Sequence, residues 1–141
     1  MRVRLALLLS WGLVAALAGA GCGGYTELAH RESLGTVEVD LAGERTLEPG
    51  EVTLDRPGTY AFKVENVTDN DAHALEIKST EGTQINYKEG SVRTADLPPG
   101  ASAPEFKVEL EPGTYEISCP VGHHAEEGMR GSLTVREGSG E

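Results

Sequence analysis

Seven stretches of this chain alternate apolar and polar residues with a period of two. They are Val37-Val39-Leu41, Val52-Leu54, Tyr60-Phe62-Val64, Leu75-Ile77, Phe106-Val108-Leu110, Tyr115-Ile117 and Leu133-Val135. A period of two sends successive side chains to opposite faces of extended backbone, so each stretch reads as a half-buried β-strand. No comparable stretch has helical spacing. Pro-Gly pairs at 49–50, 57–58, 99–100 and 112–113 punctuate the strands, Pro fixing φ and Gly accepting the positive φ of a type II turn. The expected fold is all-β, a Greek-key β-sandwich of about seven to eight strands. Pro-Gly-Thr-Tyr occurs twice, at 57–60 and 112–115, each time opening an alternating strand. Residues 79–104 are less regular, and Ile85, Tyr87, Val92 and Leu97 there fit one or two weak strands or a short helix.

At 141 residues the chain holds one globular domain. Its 12 basic and 23 acidic residues give a net charge of −11, which excludes binding through the phosphate backbone of nucleic acid. Partners are expected to be cationic or neutral.

The beginning of the chain has another character. Arg2 and Arg4 precede an apolar run from Leu5 to Ala18, the charged and apolar regions of a secretory signal, and the run is short for a membrane-spanning helix. Ala18-Gly19-Ala20 fits an ordinary signal-peptidase site, which would leave a soluble exported protein with a free thiol at Cys22. Ala20-Gly21-Cys22 resembles a bacterial lipoprotein box, although Gly19 stands where Leu is usual; this resemblance implies lipidation of Cys22 and a membrane anchor. The expected division is a signal peptide at 1–21, a flexible tether at 22–35 containing a solvated His30, a folded domain at 36–137 and a disordered tail at 138–141. Loss of 1–21 leaves ten basic against 23 acidic residues, a net charge of −13. The two cysteines then have separate roles, Cys22 at the processing site and Cys119 in a strand.

Potential metal ligands gather in Cys119-Pro-Val-Gly-His123-His124-Ala-Glu-Glu-Gly-Met129, and another, His73, precedes the Leu75-Ile77 strand. Parity puts Cys119 on the face of Tyr115 and Ile117, and His73 on the face of Leu75 and Ile77, so both point into the sandwich. Two imidazoles, one thiolate and a weak axial thioether form the ligand set of a trigonal copper site, whereas structural zinc takes four Cys or His. Met129 is the sole Met after the leader. Singly, a buried thiol, a core His and a core Met are ordinary packing residues; it is their joint spacing that points to a metal. A Cys-His nucleophile would leave Met129 without a role.

On these residues the chain resembles the cupredoxin family of type 1 copper proteins over about 36–136. The resemblance rests on Asn66-x6-His73-x-Leu-x-Ile, Pro-Gly-Thr-Tyr-x-Ile-x-Cys119, the Cys-x4-His-x4-Met loop and the closing Gly-Met-Arg-Gly-Ser-Leu-Thr-Val strand. It implies one copper ion held by His73, Cys119 and His124 with Met129 as axial ligand, and His123 as a solvent-facing neighbour. Two positions depart from the family pattern: His123 replaces the usual Gly before the loop His, and Ala74 replaces the Asn that often follows the first His. Ala74 has no side chain to bond across to the ligand loop; its N–H and that of Val121 remain as donors to the sulfur.

The expected function is that of an exported, membrane-anchored, monomeric carrier of single electrons on the outer face of the cytoplasmic membrane or in the periplasm, with no enzymatic chemistry. The alternative is capture or delivery of copper without electron transfer. Its partners would be redox proteins, such as a basic c-type cytochrome or a membrane oxidoreductase. His124 would be the electron exit, with Glu126 and Glu127 beside it as steering charges.

Overall fold

In a computed structural model, the structure describes residue 28 and residues 30–139. The expected signal segment, Cys22 and the last two residues lie outside the described residues. Nine strands run in the order β1 Thr36–Ala42, β2 Thr46–Glu48, β3 Glu51–Leu54, β4 Gly58–Asn66, β5 Glu76–Ser79, β6 Ser91–Arg93, β7 Phe106–Leu110, β8 Gly113–Ser118 and β9 Arg130–Val135. All seven alternating stretches lie in strands or, at Leu75, directly before one. The two additional strands, β2 and β6, are three residues each.

The strands form two sheets, β2-β1-β4-β7 and β3-β9-β8-β5-β6. Each is mixed, with one parallel pair: β1 beside β4 and β3 beside β9. Val37, Val39, Leu41, Phe62, Val64 and Val108 from one sheet meet Ile77, Tyr115, Ile117, Leu133 and Val135 from the other in a single buried core. Alternation is what makes this possible, since each strand sends its apolar set to the shared interior and its charges to water.

Both Pro-Gly-Thr-Tyr segments fold alike. The Tyr60 hydroxyl donates to Arg56 O (2.8 Å), and Tyr115 reaches Glu111 O (2.9 Å), four residues back in each case. Such a bond closes the chain over the start of the strand, as in the tyrosine corner of other sandwiches. Gly58 and Gly113 open their strands at φ 142° and 136°, values outside type II geometry. The expected type II turn forms only at Pro99-Gly100, where φ is 75° and Ala101 N–H bonds Pro98 O. Gly50 shows no positive φ, and the Glu48–Pro49 peptide is cis.

Residues 79–104 contain β6 and isolated bridges, with no helix. Asn86 and Tyr87 both adopt positive φ, so the chain turns back at Ile85–Lys88. Part of the stretch expected as a tether, 22–35, contacts the sandwich. Leu28 is buried, Lys107 Nζ donates to Arg31 O (2.5 Å), and Leu34 N–H bonds Thr59 O (2.8 Å). These residues pack on the sandwich because β4 and β7 offer them a carbonyl, an ammonium and apolar surface. His30 is exposed. At the other end Gly138 lies against the Arg56-Pro57 turn.

Candidate metal centre

Three segments meet at one end of the sandwich. The crossover after β4 carries His73, Cys119 directly follows β8, and the β8–β9 loop carries His124 and then Met129, the residue before β9. Pairing of β5 with β8 aligns Glu76 with Ser118 and Ile77 with Ile117. That register brings the residues just beyond, His73 and Cys119, together. His73, Cys119 and Met129 are all buried, while His124 is partly exposed and His123 exposed.

Both imidazoles present Nδ1 to the thiol. Nδ1 of His73 and Nδ1 of His124 are 3.1 Å apart, and the Cys119 sulfur lies 3.7 Å from the first and 3.5 Å from the second. The point equidistant from these three atoms is about 2.0 Å from each, close to the bond that an imidazole nitrogen makes with zinc, another first-row ion. The donor triangle therefore has the dimensions of a metal site, and no other group of three such donors occurs among the described residues. Burial lowers the His73 pKa below the ordinary imidazole value, with the His124 and Arg45 charges adding to it. A neutral ring with an available lone pair is the form a metal requires.

The backbone holds the candidate ligand residues in place. Cys119 N–H bonds Met129 O and Met129 N–H bonds His124 O, each at 2.9 Å, while His124 N–H bonds Val121 O. Ala74 N–H lies 3.5 Å from the Cys119 sulfur, as expected from its position. Val121 makes no such bond among the described residues. His73 pairs with Leu97 through both backbone groups, at 3.1 and 2.7 Å. Asn66, fully buried, donates to Asp71 O and Leu97 O and accepts from Thr68 N and Oγ1. Its amide thus ties Asp71, two residues before His73, to Leu97, the backbone partner of His73, which explains an Asn seven residues before the His.

One contributor has no sequence signal. Arg45, in a 3-10 turn at Gly43–Arg45 between β1 and β2, bonds Asp71 and Glu127 at 2.7 Å each. The guanidinium holds both carboxyls below their ordinary pKa, and they raise its own. The partners are 26 and 82 residues away in sequence. Glu127, expected as a steering charge, is thus half of an ion-paired network.

No protein-family model matches the chain, and no curated protein matches it in sequence. Solved structures do match. A dithionite-reduced auracyanin from the photosynthetic bacterium Roseiflexus castenholzii superposes with a TM-score of 0.61 at 23% identity, covering 74% of this chain and 98% of that one. Auracyanin B gives 0.60 at 20% identity, over 74% and 91%. Auracyanin A, a blue copper protein from the green thermophilic photosynthetic bacterium Chloroflexus aurantiacus, gives 0.58 at 17% identity, over 72% and 98%. What these likenesses establish is the architecture: the chain has the cupredoxin-like β-sandwich of the auracyanins.

Proposed function

We propose that this protein binds one type 1 copper ion through His73, Cys119 and His124, with Met129 as weak axial ligand, and carries single electrons without substrate chemistry. The observation that carries the reading is the triangle of two Nδ1 atoms and one thiol sulfur, with sides of 3.1 to 3.7 Å. A thiolate with two imidazoles and a thioether matches copper better than zinc, since thioether is a poor zinc ligand and soft sulfur suits copper. Bound there, copper supplies a one-electron couple. The chain's part is to keep the donors in one arrangement: the Met129 backbone bonds to Cys119 and His124 lock the loop, and the Leu97 pairing locks His73. Partial exposure of His124 offers electrons a way to the surface.

The test is copper loading followed by absorption and electron paramagnetic resonance. An intense visible thiolate-to-copper band, abolished in Cys119→Ser, is expected. A wild-type protein that binds copper without the band, or a Cys119→Ser variant that keeps it, overturns the reading. Reversible reduction separates electron carriage from copper delivery.

The resemblance to a lipoprotein box supports an exported, membrane-anchored form modified at Cys22. Native protein is expected to partition into detergent and Cys22→Ala into the aqueous phase; a native N-terminus at Gly21 without lipid refutes this. The acidic charge supports a cationic redox partner such as a basic c-type cytochrome. Glu126 is the clean position to test, because Glu127 also bonds Arg45. Glu126→Gln should flatten the salt dependence of the transfer rate, and a wild-type rate indifferent to ionic strength would assign the acidity to solubility alone.

A further inference from the structure

We propose that Arg45 is a positioning residue for the metal centre, pinning the segment that carries His73 to the loop that carries His124. The inference rests on the copper reading only for the identity of what the two segments hold. Its basis is a single side chain spanning three elements. From the turn between β1 and β2, Nη1 donates to Asp71 Oδ2 and Nε donates to Glu127 Oε2, each at 2.7 Å. Asp71 stands two residues before His73, and Glu127 stands three after His124 and two before Met129. The guanidinium thus joins the sheet containing β1 to a loop of the opposite sheet, across the end where the ligands meet.

Exposed ion pairs are usually weak, and both carboxylates here are about half exposed. Three features set this pair apart. First, the Asp71 end is anchored, because its carbonyl accepts from Asn66 Nδ2 and Thr68 Oγ1. A bond to Asp71 therefore reaches a fixed point of the buried network.

Second, Ala74 cannot supply a side-chain bond from the His73 segment to the ligand loop. Among the described residues, the links between those segments are the donor atoms themselves, the Ala74 amide and Arg45. Third, Glu44 and Arg45 adopt φ of 57° and 62°. Left-handed backbone is unfavourable for residues with a Cβ and persists where the surroundings hold it. The pair of hydrogen bonds made by Arg45 is such a constraint, and a planar guanidinium with donors on two edges is the group that can make it.

The test is amide hydrogen exchange in the copper-free protein. Glu127, Gly128 and Met129 N–H bond His123 O, Ala125 O and His124 O, so their exchange reads local opening of the ligand loop. Arg45→Ala should accelerate these amides about three- to tenfold, from the two ion pairs lost, while amides of β4 and β7 keep their rates. Arg45→Lys keeps the charge and loses the fork, so it should behave as Ala does. Glu127→Gln, which spares the Asp71 bond, should give roughly half the logarithmic effect and stands in if Arg45→Ala does not fold.

Unchanged loop exchange, acceleration that is uniform over the molecule, or full protection in the Lys variant would each overturn the positioning role. In the copper-loaded protein the Arg45 variants should retain the visible band, with altered copper hyperfine splitting; splitting identical to wild type also counts against the proposal. Absence of a band in the wild type would instead defeat the copper reading, and the copper-free exchange would still decide the clamp.

Discussion

The twin Pro-Gly-Thr-Tyr segments permit an internal comparison of one hydrogen-bonding device in two surroundings. Tyr115 is fully buried; its hydroxyl lies 2.7 Å from Gln84 O and 2.9 Å from Glu111 O, and it accepts from Glu111 N–H at 2.9 Å. Tyr60 is 7% exposed and makes one bond, to Arg56 O. Tyr→Phe removes the oxygen and keeps the ring, so packing is little changed. At Tyr60 the freed carbonyl turns to water, and the cost should be about 0.5–1.5 kcal/mol, the net worth of one bond. At Tyr115 one hydroxyl joins three backbone groups, the Glu111 amide and the Glu111 and Gln84 carbonyls, so its removal breaks two to three bonds at about 1 kcal/mol each, and about 2–3 kcal/mol is expected.

Urea denaturation of the copper-free protein measures both. With a slope of about 1–1.5 kcal/mol/M for a domain of this size, the midpoint should fall by about 2 M for Tyr115→Phe and by under about 1 M for Tyr60→Phe, the slope being unchanged. Equal midpoint shifts, or a Tyr115→Phe cost below about 1 kcal/mol, would refute the reasoning that the number of backbone groups joined by the hydroxyl decides the size of the effect.

The same tyrosines set the alkaline limit. Burial raises both pKa values, and since the phenol is neutral when protonated, the folded state holds its proton more tightly than the unfolded chain. Their contribution is complete below the unfolded value near pH 10 and is lost as pH rises through the folded values, so tyrosinate absorbance and unfolding should rise together above about pH 10. Gly131→Ala should cost about 3 kcal/mol or more by thermal denaturation and remove protection of the Ser132 amide, because a Cβ there would stand 1.9 Å from Gly50 O, the acceptor of that amide. Met129→Leu conserves volume in the core and should keep the copper-dependent visible band while raising the reduction potential, on the order of 59 mV for a tenfold shift of a one-electron couple, by voltammetry.

Strands long enough to alternate were legible, because a buried face on one side imposes a period of two. That is why parity alone placed Cys119 and His73 in the interior, where both are found. Strands β2 and β6, three residues each, are too short to show a period, and both lie at sheet edges. The turn at Asn86-Tyr87 contains no Gly or Pro, so its positive φ values had no residue to announce them. Arg45 was silent for a further reason: its two carboxylates are distant in sequence, and only the closure of β1 onto β4 brings the 3-10 turn to the ligand end.

The placement of the candidate ligands follows from strand register more than from the loop that carries them. Leu41 sits opposite Asn66 in the β1–β4 pair, and Ile77 opposite Ile117 in the β5–β8 pair. The first alignment puts the Asn66 network at the end of one sheet, and the second puts His73 and Cys119 at the same end of the other. Since side chains alternate, a slip of one residue in β8 would turn Tyr115, Ile117 and Cys119 away from the core together and bring the exposed Thr114 and Glu116 inward. The apolar pattern that makes the core is therefore also what aims the sulfur. A loop one residue longer or shorter between Cys119 and Met129 would leave that aim intact and disturb only the backbone bonds joining Met129 to Cys119 and His124. Loop length thus tunes the site independently of the fold, and a clamp such as Arg45, which acts on the loop from outside the sandwich core, belongs to that second level of control.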